Sequence, residues 1–147
     1  MKTQYIDDDG HDGFPAFGFR AGSDVKIAHK QILPDRLSAE FSILVSAKPK
    51  SRRGGFLFAV MNTYDTYYSR AIANFTVPKF TGRWIRFAFR VALDNVTLFF
   101  NCLETETVAV QRRPVELEFD SASTLYIAQA GPTIEEPYEL QSTKHIF

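Results

Sequence analysis

A chain of 147 residues, 45% hydrophobic and 23% charged, has the length and composition of one globular domain. Lys+Arg and Asp+Glu are both 17, so no overall field draws in nucleic acid or an anionic membrane surface. No run approaches the ~20 apolar residues of a membrane-spanning helix, which excludes membrane insertion by that route.

Met1 to Gly10 is polar and acidic. It reads as a flexible lead-in (1–10), not as a basic region followed by an apolar one, the form of a signal peptide. Asp7, Asp8, Asp9 and Asp12 form a solvated charge run, and a local run identifies no complete set of calcium ligands. Pro34-Asp35-Arg36-Leu37 predicts one turn of helix, because Pro34 suits a first helical position. After it every element reads as strand. Phe41, Ile43, Val45 and Ala47 alternate with Ser42, Leu44 and Ser46, and Pro49 stops the run. Gly54-Gly55 turns the chain into the continuous apolar run Phe56 to Val60. Ala71 to Val77 predicts a weak strand closed by Pro78.

The clearest alternation is Trp84 to Val91. It puts Ile85, Phe87, Phe89 and Val91 on one face, and Trp84, Arg86, Ala88 and Arg90 on the other. Asp94-Asn95 turns into a hairpin partner, Val96 to Phe100. Shorter strands are expected at Val108 to Val110, Glu116 to Phe119 and Leu125 to Ala128. Fourteen Phe among 14% aromatic residues suit broad, half-buried sheet faces. Short strands with frequent turn signals predict an all-β, antiparallel sandwich or barrel.

Several blocks, in order, resemble the laminin G-like module known as the thrombospondin N-terminal-like domain. They are Asp12-Gly13-Phe14-Pro15-Ala16-Phe17-Gly18-Phe19, Leu33-Pro34 with Glu40 to Val45, and Arg53-Gly54-Gly55-Phe56-Leu57-Phe58-Ala59-Val60. Trp84 to Ala88, Val96 to Cys102 and Ile127-Ala128-Gln129-Ala130-Gly131 follow. The version most resembled is that of the multiplexin collagens, types fifteen and eighteen. The resemblance implies a concanavalin-like jelly-roll sandwich over 11–141, followed by a tail at 142–147. Only Asn62 to Arg70 spans a gap where the family carries extra strands, so some strands are expected to be missing. Missing strands would expose unpaired ladder edges. The resemblance also makes Cys102 a disulfide candidate whose partner is absent from this chain, since no second cysteine occurs.

Catalysis finds little support in the residues. Glu104 with Glu106, and Glu116 with Glu118, would share strand faces, as ordinary exposed charges do; the three-acid hydrolase arrangement of a jelly roll is missing. Cys102 sits in an apolar stretch with nothing to activate it as a nucleophile. His11, His29 and His145 form no zinc pattern, and no phosphate-binding or dinucleotide fingerprint occurs. The expectation is therefore no enzyme, no metal and no cofactor.

Basic residues are the more informative set. Lys48, Lys50, Arg52 and Arg53 crowd one turn, and Arg112 and Arg113 another. Lys79, Arg83, Arg86 and Arg90 run along a strand. Arg86 and Arg90 lie on one face, roughly 13 Å apart, a spacing that could track the anions of a sulfated polysaccharide. The resemblance implies heparin or heparan sulfate binding, matrix-protein partners, a collagen trimer in the full-length protein and a secreted, basement-membrane location. Asn74 and Asn95 both begin glycosylation sequons, and Asn95, at a turn between two strands, is expected to be the better acceptor than Asn74 inside a strand. The expected role is a non-enzymatic matrix module; the alternative is a free-standing, lectin-like jelly roll with Trp84 as a stacking platform.

Overall fold

The computed structural model describes residues 4–7, 10–20, 23–50, 55–62, 71–129 and 144–145. Within them the chain is all-β and antiparallel, in several sheets of the sandwich class, with only two short 3-10 turns. The main sheet has four strands: β5 (Phe41–Ala47), β8 (Ile85–Val91), β9 (Asn95–Phe100) and β10 (Leu103–Ala109). Its spatial order is β10-β9-β8-β5. The alternation in β8 lands as expected. Ile85, Phe87, Phe89 and Val91 are buried, while Arg86 and Arg90 face outward. Val96 and Leu98 of β9 join them, and Ala73, Phe75 and Phe80 cover this face. Phe80 meets Phe87 edge-on at 5.4 Å between centroids, and Phe75 lies 6.0 Å from Phe89. Tilted and edge-on rings at such distances add to the burial term.

A second sheet has the order β3-β12-β6, from Val25–Ala28, Thr124–Ile127 and Phe58–Met61. Three two-stranded pairs complete the fold. β1 (Gln4–Asp7) pairs β2 (Ala16–Phe19), β4 (Arg36–Leu37) pairs β11 (Leu117–Glu118), and β7 (Asn74–Phe75) pairs β13 (Lys144–His145). The acidic lead-in and the tail thus each contain a strand, and each pairs with a strand inside 11–141.

Other expectations are corrected. The helical turn expected at Pro34–Leu37 lies earlier, at His29–Gln31, and Arg36 and Leu37 are extended because they pair with Glu118 and Leu117. β1, β2 and β3, all before Pro34, were not expected as strands. Cys102 is not in an apolar strand. It is exposed, and with Asn101 it forms the two-residue turn between β9 and β10, at φ of 68° and 50°. Two successive positive φ values are what a tight hairpin turn requires, and Asn adopts them more readily than most residues.

Candidate functional site

The basic residues gather at one end of the main sheet. Ser46 of β5 lies opposite Arg86 of β8, so the Lys48–Lys50 turn emerges beside the start of β8. The Gly82 backbone N–H donates to the Pro49 carbonyl at 2.7 Å and joins this turn to the one before β8. Gly82, at φ of 77°, permits the left-handed backbone there. Lys79 and Arg83 are therefore on this adjoining turn rather than on the strand, and Arg83 donates to the Lys79 carbonyl. Lys48, Lys50, Lys79, Arg83 and Arg86 consequently share one end of the sheet. Sequence spacing showed the two basic groups, but the contact that unites them spans more than thirty positions. Arg52 and Arg53 lie outside the described residues.

Four further residues border this end. Asp12 forms an ion pair with the Arg86 guanidinium, and His11 Nε2 lies 3.6 Å from Asp12. The His11 ring also lies against Trp84, in a tilted contact at 5.9 Å between centroids and 34° between planes. Trp84 precedes β8 and is half-buried, with its ring already engaged by His11. Asn101 closes the border: its N–H donates to the Arg86 carbonyl at 2.8 Å, and its Oδ1 accepts from the Arg86 N–H at 3.1 Å.

Arg90 belongs to the other end of β8, opposite Ser42 and Thr97. Its guanidinium lies 5.9 Å from the Phe99 ring centroid and donates to Thr97 Oγ1 at 3.3 Å. Stacking and that hydrogen bond fix its side chain flat on the outer face.

Arg112 leaves the surface set altogether. It is 7% exposed, donates to the carbonyls of Ala39, Ala92 and Val115, and lies 5.7 Å from the Phe41 ring centroid. It is a clasp across three loops, with carbonyl dipoles and a ring face satisfying its charge. The sequence offered no signal for this, since its neighbour Arg113 is exposed.

The carboxylate pairs resolve differently. Glu116 and Glu118 both meet Arg36, across the β4–β11 pair. Glu104 and Glu106 do not share a strand face in the simple way expected, because the register shifts between them; Glu104 stands opposite Phe99 and Glu106 opposite Leu98. On β3, the Lys26 ammonium donates to Asp24 at 2.9 Å and holds that carboxyl below its ordinary 3.8, helped by the Gln129 amide. Among the described residues, no three His, Cys, Asp or Glu side chains gather as a metal site.

His29 is a second ionisable side chain taken out of solvent, after Arg112. It is fully buried, and its Nδ1 lies 3.0 Å from the Ser123 carbonyl, which can only accept. Nδ1 therefore carries a proton, and Nε2 points toward Asp35 Oδ1 at 3.5 Å. Of the sequon residues, Asn74 is exposed on β7, whereas Asn95 is half-buried at the start of β9, its amide donating to Asp94 at 2.7 Å.

No family model and no solved structure matches the chain. No helix among the described residues is long and apolar enough to cross a membrane. Against curated proteins, the chain is 24% identical over 125 residues to the human Collagen alpha-1(XVIII) chain. The match covers 67% of this chain and 7% of that protein, so it concerns a small segment of a much longer molecule. This similarity supports a collagen-related domain.

Proposed function

We propose that this is a non-enzymatic, extracellular matrix module of a collagen-like protein, which binds sulfated glycosaminoglycans through the basic end of its main sheet. The observation that carries the reading is the Gly82–Pro49 hydrogen bond, which brings Lys48 and Lys50 against Lys79 and Arg83, with Arg86 on the adjoining strand. A chain of zero net charge attracts a polyanion only through such local clustering. The collagen XVIII similarity and the resemblance to thrombospondin N-terminal-like domains support the matrix setting, secretion and association into a collagen trimer. Asn74, exposed, is the better placed of the two glycan acceptors. The lectin-like alternative is less favoured, because Trp84 is half-buried and its ring is already in contact with His11.

Retention on a heparin column tests the reading. The 147-residue chain should bind at physiological salt and elute as salt rises, since at ~0.15 M exposed charges are screened beyond ~8 Å. Lys50→Ala combined with Arg83→Ala should lower the eluting salt more than Arg90→Ala does. A folded wild-type chain in the flow-through would sink the proposal.

A further inference from the structure

The two edges of the main sheet are built differently. β10 carries the usual guards of an exposed edge: glutamates at 104 and 106 and a register break between them. β5 carries none of them. From Phe41 to Ala47 it has no charge, no proline and no glycine, and it pairs with β8 over all seven residues without a shift. No described strand pairs with its far edge. Its core-side residues Phe41, Ile43, Val45 and Ala47 are only half-buried, and Leu44, at the centre of its outer side, is 77% exposed.

We propose that β5 pairs antiparallel with β5 of a second copy, about a two-fold axis through Leu44. The sequence is self-complementary about that residue. Reading outward from it, Ile43 meets Val45, Ser42 meets Ser46, and Phe41 meets Ala47. Residues directly opposite in an antiparallel pair share a face, so both faces match. The apolar side stays apolar across the junction, the two serine pairs stay outside, and Leu44 covers Leu44 of the second copy. One step beyond the strand, Glu40 meets Lys48 of the second copy at each end, so both flanking contacts join opposite charges. A two-fold axis requires this self-complementarity of a patch, and β5 with its two flanking charges provides it. The product is a continuous eight-stranded sheet, two four-stranded sheets joined edge to edge.

Sedimentation equilibrium of the full chain over micromolar concentrations tests this, independently of any polysaccharide. The wild type should dimerise. Leu44→Lys places like charges on the axis at a site exposed in the monomer, and should weaken the dimer at least about tenfold with an unchanged circular dichroism spectrum. Glu40→Lys and Lys48→Glu should each weaken it about fivefold, and together should restore it. A monomeric wild type overturns the proposal, as does a dimer indifferent to Leu44→Lys. So does a double charge exchange that associates no better than the single ones.

Discussion

Phenylalanine does opposite things in two regions of this molecule. In β8, Phe87 and Phe89 are buried beneath Phe75 and Phe80. In and beside the β1–β2 hairpin, Phe14 and Phe17 are 73% and 79% exposed. Both stretches are rich in the same side chain, and both lie in or next to extended chain. What separates them is a covering layer. β8 is flanked by strands on both sides and covered on one face, whereas among the described strands β2 pairs only with β1. A two-stranded ribbon cannot bury its own faces. The aromatic count therefore measures the demand for burial, and the topology decides where that demand is met.

Phe89→Ala should break the packed region. It removes a ring that is 1% exposed, and a loss of about 3–5 kcal/mol in urea unfolding is expected. Arg112→Ala should cost somewhat less, about 2–3 kcal/mol, by leaving the carbonyls of Ala39, Ala92 and Val115 without their donor. The same urea series measures it, and Arg112→Lys should recover only part of the loss, because an ammonium cannot reproduce the planar fork. Phe17→Ala should lie within about 0.5 kcal/mol of the wild type, since little of that ring leaves water on folding. If Phe17→Ala destabilised the chain as much as Phe89→Ala, the contrast between the regions would collapse.

What was readable in the sequence follows the same division. β8 was legible because bulky apolar residues alternate without interruption on a face that is covered, and β9 because a turn signal at Asp94-Asn95 leads into an apolar run beside it. β5 was legible by alternation, as β8 was. β10 was read only at its apolar end: Leu103 to Thr107 are exposed edge residues, and their polarity hides an extended backbone. β2 was missed because its four residues turn the small Ala16 and Gly18 inward and the bulky Phe17 and Phe19 outward, the reverse of the pattern that marks a strand. β3 does alternate, through Val25 and Ile27, but four residues are too few to stand out. At the basic end, the charged residues were all visible in the sequence. Their convergence depends on one backbone hydrogen bond between distant turns, which no local pattern records.

The turn between β9 and β10 offers a practical handle. Cys102 is exposed at its tip and is the chain's sole thiol, and the adjacent Asn101 is bonded to the backbone of Arg86 in both directions. A fluorophore attached there by simple alkylation needs no engineered cysteine and no removal of others. It would stand beside the cationic end of the sheet on a rigid two-residue mount. Its emission would register the arrival of a polyanion in solution, turning the native chain into its own binding sensor.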